Sequence, residues 1–171
     1  MDSKVVSFYK GRSTDTCGRT IFDIWSFNTY QLENVHNYIQ WLFPLNAGSK
    51  FNPAAPILSN HDIEAFKSDV QLRQNVLKSF TVILNFYGFE FTDSTVNCYI
   101  TFGSDYEIKK RNWITPHNHN FLRITRILKF LKLTGHQRLL NSFYNALQQV
   151  HDEAKDIIGS SFQFWKSAYE S

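Results

Sequence analysis

Cysteine is scarce in this chain of 171 residues: Cys17 and Cys98 are the only two. They stand in no Cys-x-x-Cys or other paired spacing, so no disulfide framework and no cysteine-based zinc motif can be read. Two reduced thiols are expected. Long apolar runs are lacking too. Arg123, Arg126, Lys129 and Lys132 interrupt the most apolar region, and no window approaches the ~20 apolar residues of a membrane-spanning helix. The opening Met-Asp-Ser-Lys-Val-Val-Ser has no apolar stretch or cleavage site of a secretory signal. The expected location is the cytoplasm, with the nucleus as the other compartment. There is no fixed-period repeat and no low-complexity tract, which argues against a solenoid or a tethered second domain.

Net charge is small as well. Eighteen Lys and Arg against fifteen Asp and Glu leave a formal +3, too little to imply polyphosphate binding by itself. Nucleic acid would need a local patch, for which Lys109, Lys110, Arg111, Lys129 and Lys132 are the candidates. The chain has no Gly-x-Ser-x-Gly elbow, no Gly-x-x-x-x-Gly-Lys loop and no Gly-x-Gly-x-x-Gly turn, so the usual hydrolase, nucleotide and dinucleotide readings have no support and no cofactor is called for.

What is abundant is aromatic. Sixteen Phe, eight Tyr and four Trp, within 43% hydrophobic and 19% charged residues, predict one globular domain over 1–171 with a ring-rich core. Those rings need partners for their OH and NH groups. Hydrophobic spacing predicts an all-α domain, a compact bundle of about six to eight helices. Leu32, Val35, His36, Ile39, Leu42 and Phe43 recur at three- and four-residue steps, predicting a helix over 30–43 that Pro44 stops. A Pro, Gly and Asn mixture over 46–59 predicts a long loop. Ser59 or Asn60 is placed to cap a short helix ending near Lys67, and Asp69 a longer one that Gly88 ends. Further helices are expected over 120–133, with Gly135 as its stop, and near 136–150 and 160–169. Val96, Tyr99, Ile100 and Phe102 confine any strand to 94–102.

Several strings resemble the opioid growth factor receptor conserved domain. They are Tyr38-Ile39-Gln40-Trp41-Leu42-Phe43-Pro44, Asn85-Phe86-Tyr87-Gly88 and Leu122-Arg123-Ile124-Thr125-Arg126-Ile127-Leu128. The likeness takes in residues 18–25, 51–56, Asn118-His119-Asn120 and Phe164-Trp165 in the family order, and so spans nearly the whole chain. The resemblance implies an all-α domain, found in animals as the N-terminal part of a larger receptor and in microbes as a short stand-alone protein; this chain looks like the stand-alone kind. It carries over no catalytic residues.

The candidate site residues each have two accounts. Asn118, His119 and Asn120 precede a helix bearing Arg123 and Arg126, where backbone NH groups, guanidinium groups and a protonated His119 can converge on an anion; equally, an asparagine can cap the helix. Arg126, expected to be the most buried basic side chain, either holds a ligand or pairs with Asp23 or Glu33. His117 and His119 sit at a spacing of two without a third metal ligand, so no metal site is expected. Arg19 and Asp23 either line a pocket or pin the N-terminal segment. The reading that unites these is a helical binding module. Its pocket would be built from the 18–25 loop with Arg19 and Asp23, the 46–56 loop with Asn52, and the 117–126 turn. Trp41 and Trp113 would be its walls, and a small anionic or peptide-like molecule its ligand. The alternatives are an enzyme using His117 or His119 as acid or base with Arg123 or Arg126 stabilising negative charge, and a nucleic-acid-binding domain. No signal bears on the oligomeric state.

Overall fold

The computed structural model describes residues 2–94 and 98–171, so Val96 of the expected strand lies outside the described residues. The chain divides into two compact units, one ending at Val82 and one beginning at Ile83. Among the described residues there are eleven α-helices, more than the six to eight expected, and one two-stranded sheet. No helix among them is long and apolar enough to cross a membrane.

The first unit opens with α1, Lys4–Tyr9, capped by Ser3, whose hydroxyl accepts from Val6 N at 3.2 Å. Val5, Val6, Phe8 and Tyr9 are buried. The Tyr9 hydroxyl donates to the Leu42 carbonyl, and its ring meets Phe66 edge-on at 4.8 Å. Next comes α2, Ile21–Trp25, closed by a reciprocal capping box in which Thr20 and Asp23 satisfy each other's backbone NH groups.

The expected single helix over 30–43 is two helices, α3 (Thr29–Asn34) and α4 (Ile39–Leu42). The period was right and the continuity wrong. Asn34, Val35, His36 and Asn37 are weak helix formers in succession, and Val35 is extended at φ −86°, ψ 122°. The break is also tied down: the Tyr38 hydroxyl donates to the Leu32 carbonyl at 2.8 Å, and the Asn37 carboxamide is engaged by Arg19 and Cys17. After α4, Leu58 N bonds the Leu45 carbonyl at 2.9 Å, and Leu45 and Ile57 form an isolated bridge. These pin the two ends of the 46–57 loop together, as in an Ω-loop. Then α5, Asn60–Ser68, starts on a Ser59/Asp62 capping box. In α6, Val70–Tyr87, Asp69 Oδ1 accepts from Leu72 N at 3.1 Å, the cap its sequence predicts.

In the second unit β1 (Phe89–Asp93) pairs antiparallel with β2 (Cys98–Phe102), Phe89 opposite Phe102 and Phe91 opposite Ile100. The expectation of 94–102 therefore caught only the second strand. The first carries its own alternation, Phe89 and Phe91 between Glu90 and Thr92. Gly88, at φ +90°, makes the turn from α6 into β1. A Cβ there would lie 2.9 Å from the Tyr106 backbone. A short α7, Tyr106–Lys109, and one 3₁₀ turn lead to α8, Asn120–Leu133. Then follow α9 (Gln137–Glu153), α10 (Lys155–Ile158) and α11 (Ser161–Glu170). Helix α11 is fastened to α8 by Trp165 Nε1 donating to the Phe121 carbonyl at 3.0 Å and Lys132 Nζ to the Tyr169 carbonyl at 2.6 Å. The helices beyond the expected number are mostly pieces of four to six residues, too short to show a period in the sequence.

Candidate functional site

The predicted site residues fall into both units and are described within each. In the first, Arg19 folds back on Asp15, whose carboxylate is fully buried. Asp15 accepts from Cys17 N at 2.8 Å, Arg19 N at 2.9 Å and Arg19 Nε at 2.7 Å. The guanidinium also donates to Asn37 Oδ1 at 2.8 Å and lies 5.7 Å from the Phe27 ring centre. Asp23 is exposed and committed to the Thr20 backbone NH and hydroxyl, both at 2.7 Å; those bonds hold its carboxyl below the usual range. Both side chains thus bond to neighbours within the first unit, Arg19 to Asp15 and Asn37 and Asp23 to Thr20.

In the second unit the polar strings close on themselves. Asn118 Oδ1 accepts from Asn120 N and Nδ2, each at 2.9 Å, which ties down the first residue of α8 from outside the helix; the cap position itself falls on His119, whose side chain makes no capping bond, so neither asparagine is the cap expected. Asn120 is wholly buried, and its Oδ1 accepts from the Tyr87 hydroxyl and an Arg123 NH, both at 3.3 Å. Trp113 gives its indole NH to the Tyr87 carbonyl at 3.1 Å. Arg126 was expected to be the most buried basic side chain. That place belongs to Arg123, at 6% exposure, while Arg126 is only partly buried. The reason is the network's position: Arg123 lies one turn from Asn120 and points where that residue is sealed, whereas Arg126 shares its side with Leu122, which is itself 58% exposed. Burial still pulls the Arg126 pKa down. His117 is exposed at φ +58°. Of the five basic candidates, Lys109 pairs with Asp105 at 2.7 Å and Lys110 with Glu107 at 2.8 Å, and Lys132 donates to the Tyr169 carbonyl. Among the described residues no three His, Cys, Asp or Glu come together as a metal-binding group.

Trp41 is different. The chain has four tryptophans, and three of them give their indole NH to an acceptor: Trp25 to Ser79 Oγ at 2.9 Å, Trp113 to Tyr87 O and Trp165 to Phe121 O. Trp41, 1% exposed, has no hydrogen-bond partner for Nε1. Its ring meets Phe8 edge-on at 5.1 Å, with Lys4 Nζ 5.5 Å from its centre. Trp41 lines a cavity of about 200 Å³ with Ser3, Lys4, Val5, Ala54, Pro56, Ile57 and Asp62, all in the first unit.

Asp62, 3% exposed, is the cavity's other unusual wall. Its Oδ2 accepts from Ser59 N at 2.9 Å and Ser59 Oγ at 2.8 Å, and the Ser3 side chain is a further hydrogen-bond partner of the carboxylate. Burial pushes its pKa up, but the neighbouring Ser3 and Ser59 groups and His61 outweigh that and leave it lowered. An unmade buried hydrogen bond costs about 1–3 kcal/mol. That cost falls on Trp41 Nε1.

The conserved region of the opioid growth factor receptor matches this chain over residues 2–171. The chain belongs to the opioid growth factor receptor conserved-region family. The rat opioid growth factor receptor is 38% identical over 137 residues, 76% of this chain and 23% of that protein. The human receptor is 37% identical over 119 residues, 67% of this chain and 16% of that protein. Opioid growth factor receptor-like protein 1 of mouse is 32% identical over 123 residues, 68% of this chain and 24% of that protein. The chain thus spans less than a quarter of the length of these relatives. No solved structure matches it.

Within this family member, the cavity takes in only part of the expected pocket: Trp41, and the 46–56 loop through Ala54 and Pro56. Arg19, Asp23 and Asn52 of the same unit do not line it, although Asn52 Nδ2 is likewise buried without a partner. Neither His117 nor His119 lines it, so the acid-base reading has no histidine in this concave site. Ser3, Lys4, Val5, Ile57 and Asp62 were missed. Asp62 alone had a sequence signal, as the third residue after Ser59 in a capping-box pattern. Ser3 and Lys4 stood in what read as a plain polar start.

Proposed function

We propose that this chain, over 1–171, is a helical binding module of the opioid growth factor receptor conserved-region family, and that its ligand enters the Trp41 cavity. The observation that carries this reading is the contrast among the tryptophans. Buried indole NH groups find partners as a rule, and Trp41, whose indole NH does not, belongs to a residue set that lines a cavity. Pockets that hold small ligands are mostly apolar with a few polar groups that fix orientation. Val5, Ala54, Pro56 and Ile57 supply the apolar part; Trp41, Asp62 and Lys4 supply the polar part.

Of the two ligand classes expected, anionic and peptide-like, the cavity favours the second. It offers a donor at Trp41, a cation at Lys4 and an acceptor at Asp62, whereas an anion would meet the Asp62 carboxylate. The relatives' name, opioid growth factor receptor, attributes a growth-factor ligand to those proteins, and accords with a peptide-like ligand here. The proposed location is the cytoplasm or nucleus, where Cys17 and Cys98 would stay reduced.

The test is a nuclear magnetic resonance titration of the full chain, ¹⁵N-labelled at tryptophan, with N-methylacetamide, methylammonium and acetate. Trp41→Phe identifies the Trp41 indole signal. The proposal expects at least one probe to move that signal while those of Trp25, Trp113 and Trp165 stay in place. All four signals unmoved at saturating probe would contradict it.

A further inference from the structure

The residues that line the cavity divide by exposure. Val5, Trp41 and Asp62 are buried, whereas Lys4, Ala54 and Ile57 are exposed, Ile57 by 57%, and mark the mouth. That mouth is uncovered apolar surface with a positive charge beside it. In the first unit Lys10, Arg12, Arg19 and Lys67 each have a carboxylate within ion-pair distance. Lys4, on the cavity wall, and Lys50, on the loop that supplies Ala54 and Ile57, have none among the described residues. Lys50 stands four residues before Ala54, so the chain holds it within about 14 Å of that wall. The neighbouring carboxylates are already engaged, Asp2 by Lys10 and Arg12 and Asp62 by Ser59 and Ser3.

We infer that this mouth docks an acidic peptide segment with one aliphatic anchor, the anchor's side chain entering the cavity and the carboxylates of its flanking residues meeting Lys4 and Lys50. The inference rests on the reading of the Trp41 cavity as a ligand site and goes on to name the partner's chemistry. Val5, Ala54, Pro56, Ile57 and Trp41 surround an aliphatic side chain with apolar groups. Size limits the anchor: about 200 Å³ is roughly the volume of seven waters at ~30 Å³ each, room for a side chain and not for a folded segment. The charges belong outside. Asp62, among the buried walls, disfavours an anion within, while Lys4 and Lys50 are exposed. Lys4 is also held in place, its Nζ 5.5 Å from the centre of the Trp41 ring. An extended peptide advances about 3.3–3.6 Å per residue, so acidic residues on either side of the anchor span the distance to Lys50. An anionic membrane would answer the two lysines as well, but it brings no single side chain to fill a cavity with buried walls.

The experiment titrates the full chain, with ¹⁵N-labelled tryptophan, against acetylated and amidated pentapeptides. The probes are Asp-Glu-Leu-Glu-Asp, its alanine-centred analogue Asp-Glu-Ala-Glu-Asp and the neutral Asn-Gln-Leu-Gln-Asn. Co-sedimentation with phosphatidylcholine vesicles containing phosphatidylserine runs beside them. The acidic leucine peptide should move the Trp41 indole signal and leave those of Trp25, Trp113 and Trp165 in place. Its alanine analogue, which has less apolar surface to bury, should bind about tenfold more weakly. The neutral peptide should bind about fivefold more weakly at low salt, a difference that added salt shrinks. Changing Lys4→Gln and Lys50→Gln together, both at exposed positions, should erase the preference for acidic flanks. Ala54→Leu, also from an exposed position, fills the cavity and should abolish binding with the fold intact. A neutral peptide that binds as well as the acidic one, or an alanine analogue that binds as well as the leucine peptide, would overturn the inference while leaving the cavity a ligand site. Capture by the vesicles without a response to any peptide would overturn it in favour of a membrane. Silence to every peptide in a protein that answers N-methylacetamide, methylammonium or acetate would also overturn it alone. Silence to all of them removes both readings.

Discussion

Lys4 Nζ stands 5.5 Å from the centre of the Trp41 ring, a cation over an aromatic face at the edge of the cavity. Because Lys4 is exposed, the attraction is worth about 0.5–1 kcal/mol. Lys4→Gln should therefore lower the urea-unfolding free energy by no more than about 1 kcal/mol. It should weaken binding of acetate more than of N-methylacetamide, since only acetate has a carboxylate for Lys4. Equal weakening of both would place the lysine outside recognition.

Asp15 and Arg19 make an ion pair at 2.6 Å in the first unit, the carboxylate fully buried and the arginine 19% exposed. Breaking a buried pair costs about 3–5 kcal/mol, and partial exposure of Arg19 discounts this. Asp15→Ala should destabilise the chain by about 2–3 kcal/mol in a denaturant titration, with Asp15→Asn milder because it keeps an acceptor for the Cys17 and Arg19 backbone NH groups. A loss under ~0.5 kcal/mol, the range of ordinary surface changes, would contradict the pinning role.

Arg123 is buried against Asn120 and Arg126 is only partly buried, so Arg123→Ala should cost more stability than Arg126→Ala. The expected losses are about 3 kcal/mol and about 1–2 kcal/mol. Thermal melts compare them directly. The reverse order would restore Arg126 as the central basic residue of this unit.

Three carboxyls are held below their usual range. Asp23 is lowered by the Thr20 bonds and Asp69 by its bond to Lys10. Asp62 is lowered despite burial, by its serine neighbours and His61. A group with a depressed folded pKa stabilises fully above its unfolded value, and that stability is lost as pH falls through the folded value. The melting temperature should thus be flat from neutrality to about pH 5 and drop below about pH 4, where unfolded carboxyls titrate. Asp62→Asn should flatten part of that drop. An unchanged acid limb would show that Asp62 contributes nothing to it.

The long helices were legible because their apolar residues repeat over enough turns: Leu72, Val76, Phe80 and Ile83 in α6, and Ile124, Ile127, Leu128 and Leu131 in α8, are all buried. The break between α3 and α4 was not legible, because it depends on Tyr38 and Asn37 reaching partners at Leu32 and Arg19. The cavity was half legible. Trp41 and the Pro-rich loop stand out by type, but Asp62 joins Ser3 and Lys4 at the cavity only through the packing of α1 against α5. Arg123, Asn118 and Asn120 attracted attention by chemistry that the fold spends on itself.

The cavity's role is tested most directly by locating a bound probe. With N-methylacetamide at saturation, intermolecular nuclear Overhauser contacts should run from its methyls to the methyls of Val5 and Ile57 and to the Trp41 ring, and Ala54→Leu should erase them. Contacts instead to side chains around Arg123 and Asn120 would contradict the account and return the site to the 117–126 turn.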